Sequence, residues 1–539
     1  MLFAEEQGIL LQGYQKGGSV ISEAAAKPRL NYPKTILTGF GFMATSIAWA
    51  IYDPYITKIL KKFLTESPLV TQWSQRVGNV DFLARYIASQ GENAFAGGAF
   101  TLVPLFIGII MTFDNIFGVV FQPIFGKLSD RCYTRLGKRR PFVLIGAPIS
   151  AALFALIPWM RTLPAVMACV ILFVFVMSLW RAPVVALMPD LTPPALRSDG
   201  NAVINLMGGL GGIVGMSSGA LVTALLAASL GIAKDELDEF RTFPYVFLVG
   251  SAVMVIGALV LLFFVKEKDS RLLSTELLAS RNEAERRAAD KQARAQEKAA
   301  RKGMKLSPKE RTSLLFMLAG LFFLFCGTNA ITTFFALFAE ELLHVNTARA
   351  GILIAIISIC GAAAALPAGW MGRKFGRKKT ILAGLGLFLA TFAVFFAALI
   401  SVTRANDLTI GGFVALNAAN PAAPAIEAIM RVLNLFIYPV LVVAGAASMM
   451  ITVNTLPLVL DIGGLERVGT FTGYYYTATF SAQIAAPITY GFFRMFSGSY
   501  ISLFYYSPIA LAAALIMILF VRHGEAKAQE IQEEVPSIA

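Results

Sequence analysis

The chain divides into blocks of apolar residues, each long enough to cross a lipid bilayer, and this restricts its fold more than any motif does. A helix needs about 20 apolar residues to span the hydrocarbon. Such blocks fall at 35–60, 99–125, 142–160, 165–188, 200–230, 244–265, 313–340, 348–371, 380–402, 427–457, 469–495 and 500–522. The expected fold class is an all-α polytopic membrane protein with twelve transmembrane helices. Composition agrees, with 57% hydrophobic and 15% charged residues where soluble domains carry about 25% charged. Glycines crowd the fifth block at Gly208, Gly209, Gly211, Gly212, Gly215 and Gly219, which reads as a face where helices approach closely.

Basic residues supply the topology. With a cytoplasmic N-terminus, the loops on that side hold 33 of the 46 Lys and Arg, as the positive-inside rule requires. Both termini are then cytoplasmic, and a net charge of +13 calls for no nucleic-acid partner. The membrane expected is the plasma membrane, a bacterial inner membrane, with its lipid as the surrounding partner. The segments read as a cytoplasmic stretch 1–34, a six-helix bundle 35–265, a charged linker 266–311, a second bundle 312–522 and a tail 523–539. Opposite charges recur one helical turn apart in the linker, as in Glu283 with Arg287 and Asp290 with Arg294, so an exposed or membrane-surface helix is expected there. Segment 61–98 reads as a short amphipathic cap on the outer side.

Several function classes fall away. The four Cys have no CxxC spacing, and His344 and His523 are isolated, so no metal site or disulfide framework is expected. There is no phosphate-cradling loop and no nucleophile with an identifiable base, so neither an enzyme nor a cofactor is expected. The first apolar block is of full span length, so it is read as an anchor and not as a cleaved signal.

The two halves echo each other. Gly126-Lys-Leu-Ser-Asp130-Arg131, continuing through Arg135, Gly137, Arg139 and Arg140, follows the second block, and Gly369 to Lys379 follows the eighth. Likewise Asp190 to Arg197 follows the fourth block and Asp461 to Arg467 the tenth. Acids and bases at helix ends on one membrane face can form charge-assisted hydrogen bonds that hold one conformation until the halves move. This set is therefore expected to act as a conformational latch, against the plainer reading that the arginines only anchor topology. Two duplicated bundles joined by a charged linker describe a carrier whose halves rock about a midplane site.

The stretch Gly126 to Arg140 resembles the inter-span signature of the major facilitator superfamily, G-x-L-x-D-R-x-G-R-R, with three residues inserted. The longer string Gln122 to Phe142 closely resembles the segment after the second helix of sucrose-type proton symporters, relatives of the glycoside-pentoside-hexuronide cation symporters. Ala182 to Leu191 resembles, more loosely, the end of their fourth helix. The resemblance implies the major facilitator fold and a sugar or glycoside carrier driven by a cation gradient. It also implies a cavity between the first, fourth, seventh and tenth helices. The chain departs from the pattern at Val174 and Val185, where sucrose symporters carry an Asp and an Arg, and at Gly118 and Gln122, where the melibiose branch carries acids for sodium. Gly372 stands where the second-half signature usually has Asp.

Ionisable side chains inside a span are costly, which makes each a functional candidate. Trp49 and Asp53 share a helix face, with Tyr52 beside them. A ring to stack on a pyranose and a carboxylate to accept hydroxyls would suit a sugar, although Asp53 is placed near the outer interface and an aromatic belt with a solvated acid is the alternative. Asp114 and Arg181 both lie deep, and an unpaired charge there would be expensive. They are expected within reach of each other in at least one state, as a structural bridge or as proton-coupling machinery. Asn329 and Asn454 join Trp49, Tyr52, Asp53 and Arg181 as expected solute contacts. Glu340 and Glu341 are read as solvated. The function expected is proton-coupled symport of a sugar or glycoside by a monomer, with the proton as co-substrate. The alternative is a facilitator carrier for a non-sugar small molecule, in uptake or export.

Overall fold

The structure, a computed structural model, describes residues 31–90, 100–132, 134–192, 197–265, 267, 307–463 and 468–522. The linker pairs expected at Glu283 and Asp290, the tail and Arg467 lie outside the described residues.

All twelve expected spans are helices: Tyr32–Thr65, Val103–Met111 continued by Phe113–Asp130, Arg140–Leu156, Leu163–Leu191, Arg197–Leu230, Glu239–Phe264, Pro308–Leu343, Thr347–Phe375, Arg377–Ala405, Pro424–Gly463, Val468–Ser497 and Leu503–Leu519. Among the described residues, eleven are long and apolar enough to cross a membrane. The eleventh span, Val468–Ser497, has the length, at 30 residues, but carries many Thr and Tyr. Helices suit this setting because their backbone hydrogen bonds close within the segment, where lipid offers no substitute. Side chains such as Leu206, Phe263 and Leu435 stay 60 to 72% exposed on outer faces, the surface a bilayer would cover.

Most helices overrun their apolar blocks by a few residues, because polar caps hold the ends. The Asn31 side chain accepts from Lys34 N at the start of the first span. A reciprocal capping box between Ser307 and Glu310 opens the seventh. The seventh ends at His344, a left-handed residue with φ 50°, and the Asn346 side chain starts the eighth. The second span is interrupted at Thr112, whose hydroxyl donates to Gly108 O at 2.8 Å and to Ile484 O of the eleventh span at 3.3 Å.

The six spans of each half run alternately between two ends. One, here the basic end, carries the loops after the second, fourth, eighth and tenth spans; the other is the far end. Each hydrogen bond or ion pair that joins described residues of opposite halves lies at the far end or at mid-depth. Backbones also meet there. A Cβ on Gly108 would lie 2.0 Å from Pro487 O, and one on Gly351 2.3 Å from Met216 O. The buried core follows suit. One cluster runs through both halves, from Tyr52, Phe154 and Phe247 to Phe334, Phe338 and Tyr490. Leu314, Met317, Leu321, Ile381, Ile451 and Ile518 form a separate core at the basic end of the second half. The halves are closed together at the far end and parted at the basic end.

Segment 61–98 contains two short helices, Pro68–Gly78 and Asp81–Gln90, as the amphipathic pattern suggested. Ser74 Oγ accepts from Leu102 N, and Tyr86 donates to Phe496 O across the seam between the halves.

Candidate functional site

Between the halves lies a cavity of about 520 Å³. The first span supplies Ser46, Trp49 and Asp53, the second Asp114, Asn115 and Gln122, and the fourth Arg181. The fifth span adds Asn205 and glycines, the seventh Asn329, Thr332 and Thr333, and the eleventh Phe480 and Gln483. The tenth, expected to line the cavity, contributes nothing to it; the fifth and eleventh do instead.

The Arg181 guanidinium lies 5.5 Å from the centre of the Trp49 ring. Trp49 Nε1 is buried without a hydrogen-bond partner, a donor at the cavity wall that no described residue satisfies. Asp114 opens the second segment of its interrupted span, where the helix N-terminus favours an acid. Its Oδ1 accepts from the Asn115 main-chain N–H at 2.7 Å and from the Asn115 amide at 2.8 Å. Asp114 and Arg181 face one cavity from neighbouring spans that pack through Phe117, Phe121 and Phe125 against Phe175, but no ion pair joins them. Asn329 gives its amide N–H to Phe325 O at 2.8 Å.

Three sequence expectations change. Asp53 is not at the outer interface: the first span continues to Thr65, so Asp53 lies about 18 Å short of its far end and lines the same cavity as Asp114. Tyr52 is fully buried, stacked on Phe173 with centroids 6.0 Å apart, and belongs to the core of the first half rather than to the cavity wall. Asn454 is buried too, its amide donating to Ala368 O of the eighth span at 3.1 Å and to Met450 O at 2.9 Å. It ties helices together and does not reach the cavity.

At the basic end the expected latch is partly assembled. Arg139 pairs with Asp190 at 2.8 Å and Asp130 at 2.5 Å and bonds Ser129 Oγ and Gly126 O. Its main-chain N–H and that of Arg140 donate to Glu267 at 3.0 and 3.2 Å. Burial pushes the Glu267 carboxyl above the ordinary range, opposed by these donors. Gly137 has φ +102° and a Cβ there would fall 2.2 Å from Glu267 Oε2, so the turn requires glycine. Arg140 also reaches Leu262 O. Arg131 and Arg135, by contrast, are exposed and make no ion pair among the described residues, the disposition of topological anchors. The side chain of Arg197 is not described.

The second half repeats the device with Arg377, which pairs with Asp461 and bonds Pro457 O. Both clusters lie inside one half, so each fixes its own bundle. The missing acid at Gly372 has a steric cause: a Cβ there would sit 1.8 Å from Asn454 Oδ1. Gly372→Asp should therefore displace Asn454 and cost about 1–3 kcal/mol by overpacking. A melting temperature equal to wild type in detergent would show that the space exists.

Sequence reasoning missed the far-end charges. Lys58, only 3% exposed, pairs with Glu239 of its own half at 2.5 Å and with Glu340 of the other at 2.9 Å. Lys61 supports Glu340 at 3.4 Å, and the second carboxylate oxygen of Glu239 accepts from Thr347 N and Oγ at 2.9 and 3.1 Å. Glu341 pairs with Arg494 at 3.0 Å and accepts from Tyr500 N at 2.7 Å. Neither Glu340 nor Glu341 is the solvated acid expected. The signal was present in Lys58, a lone cation in an apolar run.

The family model described as Major Facilitator Superfamily matches residues 35–487 and again 317–538. A sucrose transport protein of Arabidopsis thaliana is 27% identical over 201 residues, 30% of this chain and 31% of that one. A lactose permease of Lactobacillus helveticus is 30% identical over 178 residues, 31% of this chain and 27% of that one. The matches thus span less than a third of the length of these relatives. A D-xylose–proton symporter structure superposes with TM-score 0.54 at 15% identity, covering 92% of this chain and 98% of the other. The xylose transporter of E. coli in an inward open conformation gives 0.53 at 16%, covering 93% and 99%. At such identities the likeness is one of fold.

Proposed function

Because this chain belongs to the major facilitator superfamily and is a transporter rather than an enzyme, we propose that it carries a sugar or glycoside by proton-coupled symport. The observation that carries this reading is the cavity, which combines an aromatic face at Trp49, acceptors at Asp53 and Asp114, donors at Arg181 and Trp49 Nε1, and side-chain amides. A polyol offers both donors and acceptors around apolar ring faces, and such a wall can satisfy all three. The partial likeness to proteins named as sucrose and lactose carriers supports the same class.

In this proposal the basic end faces the cytoplasm, both termini lie there, and the structure is the inward-open state of a plasma-membrane carrier. The cavity is built within one chain, so a monomer suffices. Asp114 takes the proton: burial favours the neutral acid and the Arg181 guanidinium favours the carboxylate, so a change in their separation on rocking changes the proton's hold. Solute hydroxyls compete for Arg181 when Asp114 is neutral.

The test is a panel of mono- and disaccharides offered to proteoliposomes with and without an inward proton gradient. Gradient-dependent accumulation of at least one is expected. Accumulation of none removes the sugar reading and leaves a carrier for another small molecule.

A further inference from the structure

The fifth span carries more glycine than close packing uses. Gly211 and Gly215 are pressed against the first span, where a Cβ would fall 2.4 Å from Met43 O and 2.8 Å from the Ala50 Cβ. Gly209 and Gly212 differ. A Cβ at either would meet nothing within 4 Å beyond its chain neighbours and its own helix backbone. Both line the cavity, one helical turn apart on the face that also presents Asn205 and Met216. Their backbone is not left-handed, so any L side chain would fit the helix, and nearly any would favour the helix more than glycine does. Small residues in membrane helices ordinarily serve close helix approach, and here no helix approaches. What glycine secures at these two positions is empty volume beside Trp49, Arg181 and Asn329.

We propose that Gly209 and Gly212 set the size limit of the transported solute, holding open the flank of the cavity that takes the second ring of a disaccharide-sized glycoside. This rests on the sugar reading above for the nature of the solute, and on the open space at the two glycines for the limit. A side chain at each position would take up part of that space and leave less room beside Trp49 and the facing acids. The cavity, at about 520 Å³, lies within the range of about 300–1,000 Å³ typical of small-molecule sites, so the loss of one flank is consequential.

The experiment measures kcat/KM for a neutral monosaccharide and a neutral disaccharide in proteoliposomes of wild type, Gly209→Leu and Gly212→Leu. The expected result is a fall of about tenfold or more in the disaccharide-to-monosaccharide ratio for each leucine, with monosaccharide entry retained. An unchanged ratio overturns the proposal. A second arm is independent of the sugar reading. Gly209→Cys and Gly212→Cys should react, above the background of the four native cysteines, with thiol reagents of increasing bulk added from the basic side. Ser218→Cys, at a buried position of the same helix, should not react. Should the wild type carry no sugar, the sugar reading fails and this arm decides alone: labelling at 209 and 212 no greater than at 218 overturns the size limit, and graded labelling upholds it.

Discussion

Asp114→Asn is expected to abolish gradient-driven accumulation while leaving exchange of solute across the membrane intact. The cavity holds two carboxylates, Asp53 and Asp114, and one guanidinium, Arg181. Closing such a cavity with an unbalanced charge inside is costly, because the ion loses water without gaining a counter-ion. In this structure the hydrogen bonds to Asp114 among the described residues come from the neutral donors of Asn115. When the halves close over it, the charge must be met either by Arg181 or by a proton. Asparagine keeps the shape and the accepting oxygen but binds no proton, so the halves can rock without one. At one proton per solute, a gradient of one pH unit sustains about tenfold accumulation. The variant should fall to equality of the two compartments, with counterflow of labelled solute still measurable. Accumulation at wild-type level in Asp114→Asn would falsify the coupling role and return the residue to a structural one.

The twelve spans were legible because lipid imposes a single solution on a long apolar block. Their ends were not, because polar caps such as Ser307 with Glu310 carry helices beyond the apolar stretch. That error propagated into chemistry: the first span appeared to stop near residue 60, so Asp53 seemed interfacial, whereas Lys61 and Lys62 lie on the same continuing helix. Asn329 and Asn454 illustrate a deeper limit. Each is an amide inside an apolar run, and only the position of Ala368 O opposite one of them turns it into a bond between helices. The duplicated loops foretold the acid–base clusters at the basic end, yet not that each closes within its own half. Nor did they show that Asn454 occupies the space an acid at 372 would need. Spacing along a chain records which residues share a face and is silent on what that face meets.

Lys58 offers the other large effect. In Lys58→Met the methionine keeps the apolar stem and removes the charge, leaving Glu239 without its cation and Glu340 with Lys61 alone. Removing one partner of a buried ion pair costs about 3–5 kcal/mol, mostly through the charge left behind. Here that cost falls unequally on the two states. The pairs between Lys58 and Glu340, and between Glu239 and Thr347, exist only while the far end is closed, and once it opens the carboxylates regain water. The variant should therefore lose stability in the far-closed state and shift toward the far-open one, by two orders of magnitude or more if about 3 kcal/mol is differential. Spin labels at Thr65 and Arg349, exposed positions at the far end of opposite halves, would report a longer distance in Lys58→Met. Adding Glu239→Gln and Glu340→Gln removes the stranded charges and should restore much of the shorter distance. An unaltered distance distribution in Lys58→Met, with transport also unchanged, would mean that the far end is held by its apolar seam at Gly108 and Gly351 and that the charges are incidental to it.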